Sequence, residues 1–281
     1  CLRQNKPKIL LHVSNWGDLK IDSEDTVSQV TPQEIRIVHE LMGLDLHLMT
    51  YYHQNWIKST HNHWEDKHCG LKVNGIPLAA DLIDFNYKAA KKDPNLECDI
   101  AFVGGYWSYK GQNIDKYLIP LTSTDYEYKI KIFGNTKWQN PCYMGSIQTN
   151  RMQDLFASAK VCPCIYEPLS SKYGFDVSER IYKVIASGGL AISENVASIG
   201  EDLFINGEIP QFETFQEFES TVMFFCEMAL ENPEGYRQYK EKQLKTVLEK
   251  HTYFDRCAQM MNVLGLEQEG KKLLEVKNEF V

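Results

Sequence analysis

Residues 178–194 read SERIYKVIASGGLAISE. Ser178 is suited to cap a helix, as is Asp176 just before it, and Arg180 falls in that helix's first turn. Apolar residues then recur at helical spacing up to Ala186-Ser187-Gly188-Gly189, and LAIS follows as a short buried strand. A helix delivered through two glycines into an apolar strand is half of a β-α-β unit, so this stretch fixes the fold class as α/β. Arg180 and Lys183 lie one turn apart, which puts both cations on one side of the helix. A helix N-terminus with an arginine fork suits a diphosphate. The same residues also suit an ordinary solvated face, and the glycines a tight helix-to-strand turn; spacing alone leaves both readings open.

The alternation extends in both directions. CDIAFVGG (98–105) reads as a buried strand entering a glycine turn, with a helix over roughly 112–122, a strand in YKIKIFG (128–134), a helix in TNRMQDLFASA and a strand in KVCPCIYE. Thr214 with Glu217, and Thr252 with Asp255, have capping-box spacing. Upstream, KILLHVS (8–14) and DLHLMTYY (45–52) read as strands, Thr31-Pro32-Gln33-Glu34 as a helix start, NWIKSTHNHWEDKH as a polar helix and LKVNGIPL as an extended segment. Strands alternating with helices imply parallel sheets covered on both faces. The KKDPN-containing segment from Pro77 to Pro94 reads as the hinge between two such units.

With 281 residues, 43% hydrophobic and 24% charged, the chain has the composition of a globular protein of one large or two ordinary domains. Its net charge of -8 gives no basic field for duplex binding, so no nucleic-acid partner is expected. No apolar run reaches the roughly 20 residues of a membrane span. The eight cysteines form no CxxC pair; they read as buried thiols of a reducing, cytoplasmic compartment. The chain begins with Cys1, as a domain of a longer multidomain polypeptide would. In STHNHWEDKHC (59–69) the histidines lack HExxH spacing, so no metal site is expected. FVGGYWSYKG (102–111) has glycines where a strand meets a helix, yet it is neither GxGxxG nor a P-loop.

The segment from PLAAD (77–81) to CDIAFVGG (98–105) resembles the domain junction of CgeB-like (spore-maturation-type) glycosyltransferases. YMGSIQTNRMQDLFASAKVCPCI, SERIYKVIASGGLAIS and ENPEGYRQYKEKQLKTVLEKHTYFDRC resemble the same family in the same order, with His251, Thr252, Tyr253 and Arg256 matching its HTY…R. TPQEIRIVHELMGLDLHLMTYY and HNHWEDKHCGLKVNGIPLAAD resemble its N-domain tail, so the likeness covers nearly the whole chain.

That resemblance implies a GT-B architecture: two Rossmann-like domains facing a cleft, the N-terminal one abbreviated. The expected boundaries are 1–85 on the acceptor side, 86–255 for nucleotide-sugar binding and 256–281 as a helical segment packing back across the domains. It implies that Gly104 and Gly105 face the donor, that the backbone at Met144 and Gly145 reads the base, and that Arg180 and Lys183 meet ribose and phosphates. The turn at Gly188 and Gly189 would let its helix end pack close to the donor. The implied activity is a hexosyl or deoxyhexosyl transfer from a UDP- or GDP-sugar to a glycan or other hydroxyl acceptor, without a metal or further cofactor. Relatives often carry a glutamate for the ribose where this chain has Lys183; lysine cannot accept a hydroxyl hydrogen bond. The catalytic base is unassigned, with Asp18 and His12 as candidates. A non-catalytic sugar- or nucleotide-binding or coat-associated protein with the GT-B fold and a two-domain sugar-nucleotide epimerase are the rival readings.

Overall fold

The computed structural model describes residues 8–12, 45–54, 72–174 and 177–281. The chain divides into two compact units. One holds residues 1–78 with 254–279 and Val281; the other holds 79–253 with Phe280. The expected helices at Thr31 and over NWIKSTHNHWEDKH lie outside the described residues.

In the first unit, β1 (Lys8–His12), β2 (Asp45–Thr50) and β3 (Val73–Gly75) form a parallel sheet in that order. Leu46, Leu48 and Thr50 are buried on β2, alternating with more accessible residues, the pattern of a strand packed harder on one face.

The second unit is built on β4 (Cys98–Val103), β5 (Ile130–Phe133), β6 (Ala159–Cys164), β7 (Ala191–Glu194) and β8 (Gln211–Phe212). All pairings are parallel and the spatial order is β5-β4-β6-β7-β8. Every residue of β5 and β7 is buried, as expected of strands covered on both faces. The helices supply the cover: α1 (Ser108–Tyr117), α2 (Thr149–Ser158), the short α3 (Pro168–Tyr173), α4 (Glu179–Ala186), α5 (Phe215–Glu231) and α6 (Pro233–Lys250). Packing pairs α1 with α5, and α4 with α2 and α6. Ile100, Phe102, Ile132, Val161 and Ile192 of the sheet meet Ile114, Tyr117, Phe218 and Val222 of α1 and α5 in one core. Two more helices, α7 (Tyr253–Val263) and α8 (Glu267–Lys277), complete the chain.

Local signals account for most boundaries. Thr214 and Glu217 make the expected capping box at the start of α5, and the Asn232 side chain accepts the Gly235 N–H at the start of α6. The helix expected over 112–122 begins instead at Ser108 and gives way to a single 3-10 turn at Pro120–Thr122. Pro120 has no N–H to continue the α ladder. The double glycine closes α4. Gly188 takes φ 76°, its N–H donates to Ile185 O and the Gly189 N–H to Val184 O, 2.8 and 2.9 Å respectively. That is the Schellman arrangement, which favours glycine at its left-handed position.

Candidate functional site

In a parallel sheet the crevice outside the carboxyl ends opens where the strand order reverses, and ligands bind there. Here β4 is followed in sequence by β5 on one side and β6 on the other, so the switch lies between β4 and β6. Arg180 stands at that point. Its Nε donates to Val103 O at the end of β4 (2.8 Å) and its Nη1 to Ile165 O just past β6 (3.1 Å). The guanidinium carbon lies 4.5 Å from the centroid of the Phe102 ring. Ser178 caps α4 by accepting the Arg180 N–H at 3.3 Å; Asp176 lies outside the described residues. The parallel crossover from β6 directs the N-terminus of α4 toward the same edge of the sheet.

Three main-chain segments converge on this edge. Gly104 N–H donates to Phe133 O (2.9 Å), Gly134 N–H to Gly145 O (3.0 Å), and Met144 N–H to Ile132 O (2.8 Å). Residues 142–145 therefore run alongside the end of β5, with Met144 exposed. The approach is close: a Cβ on Gly134 would fall 2.2 Å from Gly104 O, and one on Gly104 would fall 2.7 Å from Arg180 Nη2. Trp138 Nε1 donates to Gly104 O (3.2 Å), and the Tyr106 N–H following Gly105 donates to Thr136 Oγ1 (3.0 Å). The structure thus brings Gly104, Gly105, Met144, Gly145 and Arg180 to one edge.

Gly188 and Gly189 are not brought there. They end α4, and the end of a crossover helix lies at the amino edge of a parallel sheet, about 12 Å from its start for eight residues at 1.5 Å each. Their neighbours agree: a Cβ on Gly189 would stand 2.7 Å from Phe156 O near the end of α2, and one on Gly188 would stand 3.4 Å from Tyr87 Cβ. Lys183 is engaged elsewhere as well. Its ammonium pairs with Glu179 at 2.5 Å and lies 5.3 Å from the centroid of the Phe85 ring.

The HTY…R residues have structural partners. Ala80 N–H donates to His251 O and Tyr253 N–H to Ala80 O, 2.8 and 2.9 Å, so PLAAD pairs with HTY as a short parallel bridge. His251 Nε2 meets Leu203 O at 2.8 Å, the Tyr253 hydroxyl donates to Glu179, and Arg256 Nε donates to Pro77 O at 2.8 Å.

Glu194 was not singled out from the sequence. It ends β7 and is 3% exposed. It accepts from Asn113 Nδ2 (2.8 Å), the Ser171 hydroxyl (2.6 Å) and the Tyr166 N–H (3.1 Å). Burial nevertheless raises its pKa above the ordinary carboxylate value. Its signal was an acidic residue closing an apolar strand, at the carboxyl edge where α/β sheets hold ligands. Gly134 was missed for another reason: its constraint is contact with Gly104, 30 positions away in the chain.

In the first unit, His12 ends β1 and stacks on Tyr51, with centroids 5.3 Å apart. Partial burial lowers its pKa, which favours the neutral imidazole a base requires. Asp18 lies outside the described residues. Six described cysteines are free, and burial raises the Cys98, Cys164 and Cys226 thiols to about 12. Among the described residues, no group of three or more His, Cys, Asp or Glu side chains is placed to hold a metal, and no helix is long and apolar enough to cross a membrane.

Several solved structures share this fold. A mutant of the T4 phage β-glucosyltransferase in complex with UDP-glucose aligns at TM-score 0.51 and 12% identity over 95% of this chain and 73% of that one. Sucrose-phosphate synthase from Thermosynechococcus elongatus aligns at 0.54 and 12%, over 95% and 68%. TarM aligns at 0.55 and 12%, over 91% and 49%. No curated protein sequence matches. The glycosyl transferase-like family model matches residues 115–262, more than half of the chain, taking in β5, β6, β7 and β8 with Arg180 but not β4. The α/β fold is thus that of the GT-B glycosyltransferases, and the chain belongs to the glycosyl transferase-like family.

Proposed function

We propose that this protein is a nucleotide-sugar-dependent glycosyltransferase of the CgeB-like group, moving a hexosyl or deoxyhexosyl unit to a hydroxyl acceptor without a metal. The observation that carries the reading is the placement of Arg180 at the strand-order reversal of the second unit. Two of its donors are held by Val103 O and Ile165 O, while Nη2 has no acceptor among the described residues. A guanidinium anchored in this way presents a pre-positioned donor to a diphosphate. In transfer, the bond from the anomeric carbon to the diphosphate oxygen breaks and a bond to the acceptor oxygen forms. Arg180 and the α4 N-terminus neutralise the departing diphosphate, and a base takes the acceptor proton. His12 is the described candidate for that base. Gly145, where a side chain would meet nothing within 4 Å, leaves room for the nucleotide against bare main chain, while Gly104 and Gly105 let Arg180 and Trp107 pack closely against the turn it faces.

The T4 phage neighbour is bound to UDP-glucose, so UDP-sugars head the donors to try, with GDP-sugars next. A glycan or other hydroxyl compound is the preferred acceptor, because the net charge of -8 opposes a DNA acceptor. Calorimetric titration with UDP and GDP, followed by a screen of nucleotide-sugars for hydrolysis, tests the proposal. Binding of one nucleotide with slow release of its sugar is the expected result; failure to bind either nucleotide would sink it.

One observation favours a second reading, a nucleotide-binding protein without turnover. Lys183, which stands where the resemblance leads one to expect a ribose-binding glutamate, is tied to Glu179. Tight nucleotide binding with no sugar release from any donor would select that reading.

A further inference from the structure

A cavity of about 530 Å³ opens at the edge of the second unit's sheet opposite the Arg180 crevice. Cys98 at the start of β4 and Ala159 at the start of β6 line it. The five steps of β4 from Cys98 to Val103, at about 3.3 Å each, set it roughly 17 Å from Val103. Five cationic side chains line the cavity against two carboxylates, Glu97 and Asp99. Asp99 is already committed: it pairs with Lys160 at 2.7 Å and accepts the Lys129 N–H at 2.8 Å. Arg237 is held by Glu234 and Glu241 on its own helix.

Lys240, Lys92 and the exposed Lys129 remain. Among the described residues, none of the three ammonium groups has a carboxylate or a hydrogen-bond acceptor, and it is the charge of Lys92 that acts on Lys240. Lys240 is half-buried, 5.5 Å from the centroid of the Tyr236 ring. That ring is fixed, because its hydroxyl donates to Lys160 O at 2.7 Å. Burial first, and the like charge of Lys92 second, lower the Lys240 pKa. A lysine withdrawn from water beside a second lysine is costly unless an anion joins them. The cavity falls in the size range of small-molecule sites, about 300–1,000 Å³, which exceeds the need of a bare oxyanion.

We propose that Lys240 and Lys92 form a second ligand site, separate from the donor crevice, for a small molecule bearing a phosphate or diphosphate group. The anion bridges the two ammonium groups and the organic body lies along Tyr236 and the start of α6. The site does not depend on the transferase reading, since none of its residues belongs to the crevice.

Titration of the full chain with inorganic phosphate, pyrophosphate and glycerol 3-phosphate, followed by calorimetry, tests it. Saturable binding of at least one is expected, weakened tenfold or more in both Lys240→Gln and Lys92→Gln and retained in Arg180→Gln. Tighter binding of glycerol 3-phosphate than of the inorganic ions identifies an ester as the ligand; the reverse order identifies the free ion. Absence of binding, binding that both lysine variants leave within twofold, or binding lost in Arg180→Gln overturns the proposal. Should Lys240→Gln fail to fold, the exposed Lys92→Gln variant decides, together with protection of Lys240 from acylation by bound pyrophosphate in the wild type. Lack of protection would equally overturn the proposal.

Discussion

At Arg180 one side chain fastens two strand ends and faces the crevice they form. Lysine carries the charge on a single nitrogen and cannot reproduce the fork that reaches Val103 O and Ile165 O together. Arg180→Lys should therefore lose about 1–3 kcal/mol of stability, the usual loss for a charge-assisted bond to a part-buried carbonyl. UDP affinity should fall tenfold or more while uridine affinity changes little; equal losses for both would remove the phosphate role. Glu194 calls for a pH series. Its pKa in the fold lies above the ordinary value, so the unfolded chain gives up this proton first. Stability must then fall as pH rises from about 4.5 through the raised value. In Glu194→Gln that contribution vanishes, so urea denaturation from pH 4 to pH 8 should show the variant gaining on the wild type as pH rises. Parallel profiles would show that Glu194 ionises freely in the fold. Sequence spacing identified Arg180 as a cation in the first turn of a capped helix, but not its partners: those follow from β4 lying beside β6, a pairing no local pattern encodes. Lys183 shows the reverse limit. Spacing put it one turn from Arg180, yet Glu179, at the favourable i,i+4 distance, engages its charge.

Among the elements, the buried strands of the second unit were the most legible, because a parallel strand covered on both faces is a plain apolar run between turn signals. β8, of two residues, and the six-residue α3 are too short to set up a period, so neither was foreseen. The double glycine makes the helix-to-strand turn, one of the two readings its spacing leaves open, while the donor-facing place the resemblance implied for it conflicts with topology: the end of a crossover helix cannot reach the carboxyl edge of its own sheet. Gly134 provides the sharpest test at this scale. A methyl group there would sit 2.2 Å from Gly104 O, main chain that cannot swing aside. Gly134→Ala should destabilise the second unit by at least about 2–3 kcal/mol, the upper range for overpacking, and should weaken UDP binding by displacing the β4 turn. Chemical denaturation and calorimetry measure the two effects. An alanine variant of wild-type stability would mean that the β4 and β5 ends do not approach each other as described.

At the scale of the whole molecule, the residues proposed to hold the nucleotide belong to one of the two units. Gly104, Gly105, Gly134, Met144, Gly145 and Arg180 all fall within 79–253, as does the core from Ile100 to Cys226. That span is within the usual range for a domain, about 50–250 residues. It also retains the Ala80–Thr252 bridge that joins its two ends. Charge and composition indicated a globular protein of one or two domains, but not which residues return to which unit. The assignment of 254–279 to the unit of 1–78 arises from long-range contacts, which periodicity does not report. A fragment of residues 79–253 should accordingly fold alone, unfold in one cooperative step and bind UDP within about threefold of the full chain. One contact it loses is the bond from Asn86 Nδ2 to Phe280 O, about 1 kcal/mol for an ordinary hydrogen bond. Circular dichroism during denaturation and calorimetry with UDP check both halves. A fragment that folds cooperatively but does not bind would show that the nucleotide needs residues outside 79–253, and the crevice at Arg180 would no longer suffice as the donor site. A fragment that fails to fold would instead place stability in the contacts of residues 254–281, and the binding test would pass to the full chain with Arg180→Lys.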